Sequence, residues 1–279
     1  MRRKLEYGAY AVLILYFILK YSTVDLEAPR RVAPERQDPP AIMLPDDAAL
    51  PSNDHAIVQV ELEHKATNTV GTAFAIDSIG TYVTARHVVD GCKQVYFLVD
   101  GRRPEQVRSF KSESNRDFAI IKANRSLVKY VGLSTDRPQR GTEGYMMGYP
   151  QGEPADVRAT VIGRTQMKSS GRYRMREPVV AWVERERRPG SSGSLGGISG
   201  GPVLDSEGYV IGTVVAGAPR RGRIYTTDPK VFIEAGLTEG TSRIYPIFFD
   251  EGISKDNYAI WGKKLRASNT IAQVYCQAK

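Results

Sequence analysis

Short β-rich segments follow one another from residue 54 to about residue 236, and they constrain the fold more than any other feature of the sequence. Gly, Asn, Asp and Pro residues separate these segments, as turns between strands require. No helical segments alternate with them, which excludes a parallel α/β sheet and favours an all-β sandwich or barrel. The strands are predicted over Ala56–Glu63, Thr72–Asp77, Thr81–Ala85, Gln94–Val99, Phe118–Lys122, Gly144–Gly148, Val157–Gln166, Val179–Val183, Pro202–Asp205 and Tyr209–Val215.

An apolar stretch near the N-terminus predicts a transmembrane anchor over residues 1–24. A basic cluster at residues 2–4 precedes Tyr7–Leu19, which contains no charged residue. A helix over Leu5–Val24 would rise about 30 Å, which matches the hydrocarbon core of a bilayer. The basic end is expected to stay in the cytoplasm, so that the rest of the chain is exported. The alternative is a cleaved signal peptide, although Lys20–Val24 lacks a small-x-small cleavage site.

The remaining segments flank the β-rich region. Residues 25–53 contain several prolines among charged residues, which is typical of a semi-extended linker. Residues 237–279 form a C-terminal extension, in which the segment Asp256–Cys276 is predicted to be helical. Its expected core contacts are Tyr258, Trp261, Leu265 and Ile271. The predicted organisation is therefore an anchor, a linker, a β domain over residues 54–236 and a short helical extension.

Charge and composition exclude several classes of protein. The 39 basic and 31 acidic residues give a net charge of +8 and a pI near 9.4. The basic residues occur in small groups without a stacking platform, so nucleic acid is not the expected partner. A solvated basic surface, or one that faces anionic lipid, is the simpler interpretation. Two cysteines are too few for a disulfide scaffold or a four-cysteine zinc site, and three histidines leave few candidates for histidine chemistry.

A serine framed by glycines stands in the segment Gly197–Val203. Glycines beside Ser199 let the backbone approach a substrate carbonyl and let successive N–H groups point at one spot, as an oxyanion hole requires. The alternative interpretation is an ordinary Gly/Ser-rich turn. The same string satisfies the Gly-x-Ser-x-Gly elbow of α/β-hydrolases, but that fold needs a histidine after the serine, and none follows His87.

Two further residues complete a candidate catalytic set. His87 follows the predicted strand Thr81–Ala85, whereas the other two histidines lie among polar residues near the start of the domain. Asp117 opens the predicted strand Phe118–Lys122, where its carboxylate can orient an imidazole and stabilise its protonated form. The alternatives are a structural histidine and an aspartate that caps a turn. In chain order the three candidates are His87, Asp117 and Ser199, which is the order of chymotrypsin-type proteases.

The sequence resembles the trypsin-like peptidases of the bacterial HtrA/Deg group over roughly residues 54–236. The resemblance is carried, in order, by Gly71–Ile76, Val83–Val89, Asp117–Ala119 and Gly197–Pro202. It implies two six-stranded antiparallel β-barrels with a polypeptide substrate in the cleft between them. His87 and Asp117 would come from the first barrel and Ser199 from the second. The backbone N–H groups of Gly197 and Ser199 would form the oxyanion hole, and no metal or organic cofactor would be needed.

Departures from that group affect what is expected. Ile198 stands where secreted digestive trypsins carry the aspartate used in their activation, so that switch is absent. The 43 residues after position 236 are too few for the PDZ domain that many HtrA proteins carry. Gly193 stands where trypsins carry an acidic residue at the base of the substrate pocket, so a small or medium apolar residue is expected before the cleaved bond. Val214 and Val215 fall on the family's substrate-pairing strand.

Together these observations predict a membrane-anchored serine endopeptidase of the bacterial inner membrane. Its peptidase domain is expected on the periplasmic or extracytoplasmic side, with a role in protein quality control of the envelope. The alternative is a catalytically weak peptide-binding or scaffold protein that retains the protease fold. All three candidate catalytic residues and both oxyanion positions are present, which favours the enzyme.

The two cysteines are candidates for a disulfide. In an exported domain both would meet an oxidising compartment. A bond between Cys92 and Cys276 would tie the C-terminal extension to the region just after His87. The alternative is that Cys92 is a buried apolar residue and Cys276 a free thiol on a loose end.

Overall fold

Two largely antiparallel β-sheets, packed against a shared core, carry nearly all of the regular structure. The computed structural model describes residues 42–43, 57–99, 103–190, 193–218, 222–238 and 251–278. The predicted anchor over residues 1–24 and most of the predicted linker over residues 25–53 lie outside the described residues. None of the helices that the structure describes is long and apolar enough to cross a bilayer. The all-β fold class expected from the sequence is confirmed.

Sixteen strands, three short α-helices and one 3-10 turn make up the described part of the chain. In chain order they are β1 (Ile42–Met43), β2 (Val58–Glu61), β3 (Thr69–Ala75), β4 (Thr81–Thr84), α1 (Arg86–Val89), β5 (Cys92–Val99), β6 (Arg103–Gln106), β7 (Ser109–Ser112), β8 (Ala119–Lys122), β9 (Gly132–Leu133), β10 (Glu143–Gly148), the 3-10 turn (Pro150–Gly152), β11 (Ala155–Ser170), β12 (Met175–Arg188), β13 (Pro202–Leu204), β14 (Tyr209–Ala218), β15 (Arg223–Thr227), α2 (Val231–Glu234), α3 (Tyr258–Ala267) and β16 (Ile271–Ala278).

The first sheet is a half-barrel of seven strands in the order β6-β5-β16-β3-β4-β8-β7. Its edge strands β6 and β7 are consecutive in the chain. At the bend between them, the Val107 N–H donates to the Val95 carbonyl oxygen (3.1 Å), and the Arg108 N–H donates to the Lys122 carbonyl oxygen (2.8 Å). The continuous segment from β6 to β7 therefore supplies the edge strand at each end of the sheet, and β6 and β7 do not pair with each other in the described sheet. For this sheet the structure therefore supports a seven-stranded half-barrel, whereas the resemblance implied a closed barrel of six strands.

The C-terminal strand β16 lies inside the half-barrel, between β5 and β3. The helix predicted over Asp256–Cys276 is therefore right for α3 and wrong from Ile271 onward. Asn269, at φ 58°, turns the chain out of the helix in the left-handed region that Asn tolerates. The following residues then pair with a strand on each side, and a disulfide joins Cys276 to Cys92 with 5.6 Å between their Cα atoms.

The second sheet closes into a barrel of six strands, as the resemblance implied. Strands β12, β15, β14, β13, β10 and β11 follow one another around it, and β11 pairs with β12 to complete the circle. The two longest strands, β11 and β12, continue past the barrel as a hairpin in which Met167 pairs with Glu177 and Ser169 with Met175. Strand β2 runs parallel to the end of β11 and widens this hairpin. The end of this hairpin contacts His87 and Asp117 in the other sheet.

A buried ion pair fastens α3 to the closed barrel. Arg266 donates two hydrogen bonds to the Asp156 carboxylate, at 2.6 and 2.7 Å, and the Asp156 side chain is only 3% exposed. Burial raises the pKa of Asp156 above its usual range, and the Arg266 guanidinium counteracts part of that rise. A Cβ at Gly262 would lie 2.0 Å from Asp156 Oδ1, so the helix can approach the carboxylate only because this position is glycine.

Candidate active site

His87 stands just after strand β4, in the single turn of helix α1. The strand ends at Thr84, whose hydroxyl donates to the Thr72 carbonyl oxygen in β3 (2.7 Å). Val88 and Val89 are buried in the half-barrel core, whereas the His87 side chain is 21% exposed. Packing of the two valines therefore fixes the turn and leaves the imidazole at the surface.

Asp117 binds His87 at two points. The imidazole Nδ1 lies 2.6 Å from Oδ2 of the carboxylate, and the His87 backbone N–H donates to Oδ1 (2.9 Å). The Asp117 side chain is 4% exposed. Because an ionised carboxylate can only accept, Nδ1 carries the proton and Nε2 is left as an acceptor. The two-point contact thus fixes both the tautomer and the orientation of the imidazole.

The hairpin of β11 and β12 contributes two more contacts to Asp117. The Tyr173 hydroxyl donates to Oδ1 (3.3 Å). Glu177 accepts a hydrogen bond from the Asp117 N–H at Oε1 (3.1 Å), while its Oε2 has no partner among the described residues. Burial, followed by the nearby Asp117 carboxylate, raises the pKa of Glu177 to about 8. At neutral pH Glu177 is therefore a protonated acid, which avoids two adjacent buried negative charges.

Ser199 lies in a turn that packs directly against the strands leading to His87. The Thr72 N–H donates to the Ser199 carbonyl oxygen (2.8 Å). A Cβ at Gly200 would lie 2.1 Å from the Thr72 carbonyl oxygen and 2.9 Å from the Ala85 nitrogen, so only glycine permits this approach. Ala85 precedes His87 by two residues, so the contact joins the serine segment to the histidine segment. Within the described residues no hydrogen bond links the Ser199 hydroxyl to the imidazole, and such bonds commonly tighten only when substrate binds.

The peptide group between Gly196 and Gly197 is held in one orientation. The Gly196 carbonyl oxygen accepts hydrogen bonds from the backbone N–H of Gln151 (2.6 Å) and from its Nε2 (3.2 Å). Because a trans peptide is planar, the Gly197 N–H points the opposite way, away from Gln151. Neither this N–H nor that of Ser199 donates to another residue in the described parts of the chain. Both amides predicted to form the oxyanion hole therefore remain available as donors.

A cavity of about 120 Å³ adjoins Ser199. Of the substrate-binding residues predicted from the sequence, only Val214 lines it. The structure places Val215 in the core that is shared with the half-barrel, and the Gly193 carbonyl oxygen accepts a hydrogen bond from Arg187 Nη1 (2.7 Å) outside the cavity. No charged side chain of the described residues lines this cavity, whose apolar wall consists of Leu195, Ile198, Val214, Ala216 and Ile224.

Comparison with known proteins decides the family. Residues 71–212, about half of the chain, match the model of the trypsin-like peptidase domain family. The chain belongs to this family. The matched range contains His87, Asp117 and Ser199, so the trypsin-like resemblance carried by the sequence motifs is confirmed.

This trypsin-like peptidase domain has distant relatives among curated proteins. It is 26% identical over 156 residues to the pro-apoptotic serine protease NMA111 of Meyerozyma guilliermondii, and the aligned region covers 53% of this chain and 15% of that protein. It is 24% identical over 148 residues to a probable periplasmic serine endoprotease, DegP-like, of Marinomonas sp., and the aligned region covers 52% of this chain and 29% of that protein. The chain thus spans less than a third of the length of either relative.

Among solved structures, the inactive form of the Rv3671c protease of M. tuberculosis resembles this trypsin-like peptidase domain. The match is 19% identical, has a TM-score of 0.49, and covers 62% of this chain and 88% of that one.

Three residues of the site in this trypsin-like peptidase domain were not found from the sequence. Gln151 lies in the 3-10 turn Pro150–Gly152, where the Pro-Gln-Gly string predicts a turn but does not show which residue the turn contacts. Glu177 precedes the apolar segment Val179–Val183 and carries no local motif, and the same holds for Tyr173. No group of three or more His, Cys, Asp or Glu side chains in the described ranges could hold a metal ion.

Proposed function

We propose that the protein is a serine endopeptidase that cleaves polypeptides through His87, Asp117 and Ser199. The observation that carries the proposal is the two-point contact between His87 and Asp117, next to a glycine-framed serine whose turn packs on the same strands. This combination supplies an oriented base beside a nucleophile, which is the requirement for acyl transfer. A structural histidine would not need a buried carboxylate on Nδ1 together with a ring that reaches the surface.

The mechanism follows from the available donors and acceptors. His87 Nε2 takes the proton of the Ser199 hydroxyl as Oγ attacks the peptide carbonyl carbon, and the carbonyl oxygen becomes negatively charged. The N–H groups of Gly197 and Ser199 stabilise that oxygen. His87 then gives its proton to the leaving amine, and the acyl group stays on Ser199 Oγ until water, activated by the same imidazole, releases it. Asp117 holds the ring and stabilises its protonated form throughout.

The cavity beside Ser199 supports a preference for a small or medium apolar side chain before the cleaved bond. Its volume of about 120 Å³ is modest, and its wall is apolar. A basic or acidic side chain would lose hydration there without gaining a partner. The expected substrates are therefore polypeptides with a residue such as alanine or valine before the cleaved bond.

We further propose that residues 1–24 anchor the protein in the bacterial inner membrane, with the peptidase domain on the extracytoplasmic side and a role in envelope protein quality control. The uncharged run Tyr7–Leu19 behind a basic cluster supports the anchor. The disulfide between Cys92 and Cys276 supports an oxidising compartment. Intact mass of the membrane-extracted protein tests the anchor, and a mature N-terminus between about residues 20 and 35 would contradict it.

The peptidase proposal is tested by labelling with a fluorophosphonate probe, with Ser199→Ala as the test variant. Ser206→Ala is the matched control, because Ser206 lies exposed in the turn between β13 and β14. We expect the parental protein and the control to be labelled and Ser199→Ala to be unlabelled. Labelling of Ser199→Ala at the parental rate would refute the assignment, and peptide binding without labelling or turnover of the parent would support the scaffold alternative.

A further inference from the structure

The tip of the hairpin between β11 and β12 crosses from the closed barrel to the His87–Asp117 pair. Arg172 Nη2 donates to the His87 carbonyl oxygen (2.9 Å), and Arg172 Nε lies 3.4 Å from Asp90 Oδ2 at the end of α1. The adjacent Tyr173 places its hydroxyl 3.3 Å from Asp117 Oδ1. Two successive residues of one barrel therefore contact both members of the pair carried by the other sheet.

The Tyr173 hydroxyl is one of three groups that donate hydrogen bonds to the Asp117 carboxylate. Oδ2 accepts from the imidazole Nδ1, and Oδ1 accepts from the His87 N–H and from the Tyr173 hydroxyl. Every one of these groups is a donor, so the carboxylate is held from both oxygens at once. Burial, followed by the Asp117 charge, raises the pKa of Tyr173 far above its usual range, so the hydroxyl keeps its proton and remains a donor.

The Tyr173 ring is itself held in position. The Arg86 guanidinium carbon lies 3.8 Å from the ring centroid, within cation–π range. Arg86 is fixed in turn by the Ser114 carbonyl oxygen (2.7 Å) and by Asp90 (3.4 Å). The aromatic plane is therefore clamped by contacts that do not involve the hydroxyl, and removal of the hydroxyl alone should leave the ring in place.

The backbone of the tip is equally constrained. The Ser169 hydroxyl donates to the Tyr173 carbonyl oxygen (3.2 Å) and accepts from the Met175 N–H (3.1 Å). The Leu62 N–H, just after β2, donates to the Ser170 carbonyl oxygen (2.9 Å). Gly171, at φ 95°, lies so close to this strand that a Cβ would be 1.8 Å from the Leu62 carbonyl oxygen. The backbone of the tip is thus held by hydrogen bonds and by close packing against the segment after β2.

We propose that Tyr173 is a positioning residue for Asp117 in the serine peptidase proposed above, and that the hairpin tip couples the His87–Asp117 geometry to the docking of the two sheets. The hydroxyl acts through Asp117 on the orientation of the imidazole and contacts no substrate. Because the donor comes from the closed barrel, the pair reaches its working geometry only when that barrel is seated against the half-barrel.

The test compares Tyr173→Phe with the parental protein. This variant removes only the hydroxyl and keeps the ring that Arg86 holds. The matched control is Tyr96→Phe, which removes a hydroxyl that hydrogen-bonds Gln94 in the half-barrel, away from the site. We expect kcat to fall by about 3- to 10-fold with KM unchanged, the range of one net hydrogen bond. Both variants should still unfold in one cooperative urea transition, and the midpoint of Tyr173→Phe should fall by no more than the loss of one hydrogen bond causes.

A second readout does not require turnover. The proton shared by His87 Nδ1 and Asp117 Oδ2 is expected as a low-field resonance in the proton NMR spectrum, because its 2.6 Å bond is short and charge-assisted. Loss of the Tyr173 donor makes Asp117 a stronger acceptor toward the imidazole. The resonance should therefore move in Tyr173→Phe and stay in place in Tyr96→Phe.

The outcomes separate this inference from the proposed function. Parental kcat together with an unmoved resonance in Tyr173→Phe would overturn the inference, as would a rise in KM with kcat unchanged. An unlabelled, inactive parental protein would refute the peptidase proposal. In that case the NMR comparison alone still decides whether Tyr173 positions Asp117.

Discussion

Substitution of Glu177 by glutamine should flatten the dependence of stability on pH between about pH 5 and pH 8. Glu177 is 1% exposed and lies behind Asp117, with its Oε1 on the Asp117 N–H. Burial and then the Asp117 carboxylate raise its pKa to about 8, while the Asp117 N–H and Arg116 lower it and Glu234 raises it. Arg137, Asp228 and Lys230 complete the charged groups around the small adjoining cavity.

The direction of the effect follows from proton linkage. The unfolded glutamate titrates near its ordinary value of 4.5, whereas the folded one titrates near 8. Between these values the folded state holds a proton that the unfolded state has lost. The contribution of this proton to the free energy of unfolding is therefore complete below about pH 4.5, and it is lost as the pH rises to about 8. Between these two values the free energy of unfolding falls by about 1.4 kcal/mol for each pH unit, which gives a total change on the order of 5 kcal/mol.

Glutamine keeps the shape of the neutral acid and can still accept from the Asp117 N–H, but it does not titrate. Urea unfolding followed by tryptophan fluorescence, at about pH 5, 6.5 and 8.5, gives the free energy of unfolding for each variant. Trp182 is fully buried and reports the closed barrel. All proteins should carry Ser199→Ala, so that self-cleavage cannot distort the curves.

The matched control is Glu105→Gln, which removes a surface carboxylate whose side chain is 38% exposed and paired with Arg125. We expect the control to follow the parent at every pH. The Glu177→Gln protein should gain stability relative to the parent as the pH rises, by several kcal/mol near pH 8.5. Parallel curves for parent and Glu177→Gln would refute the argument, because they would show that Glu177 titrates alike in the folded and unfolded states.

Two further outcomes are expected from contacts of the C-terminal segment. Reduction of the Cys92–Cys276 bond, which closes a loop of 184 residues, should lower the free energy of unfolding by up to about 5 kcal/mol. Urea unfolding with and without reductant measures this loss. A Cys92→Ala/Cys276→Ala double variant that still responds to reductant would contradict the prediction. Arg266→Met should destabilise the protein by about 3–5 kcal/mol, because it leaves the buried Asp156 carboxylate without a partner, and Asp156→Asn in the same chain should recover part of that loss in the same assay.

Strands with strong local patterns were predicted close to their observed limits. The segment Gly144–Gly148 corresponds to β10, and Tyr209–Val215 to most of β14. In such segments β-branched and apolar residues end at turn residues, so the local sequence carries the assignment. The segment Ile271–Cys276 shows the opposite case. It follows a true helix and includes the buried polar residue Gln273, and only pairing with β3 and β5 makes it a strand.

The residues of the candidate site also form two groups, one that local sequence patterns identify and one that only the tertiary structure identifies. His87, Asp117 and Ser199 could be chosen from the sequence, because each sits in a short string whose chemistry is local: a strand end, a strand start and a glycine-framed turn. Tyr173 and Glu177 lie 56 and 60 residues from Asp117 in the chain, and no local pattern connects them to it. Only the closure of one sheet and its docking on the other brings them within hydrogen-bond distance. The sequence by itself therefore determined which groups can react, and tertiary structure decided which groups hold them, because contacts between distant strands depend on sheet register and packing that local sequence does not encode.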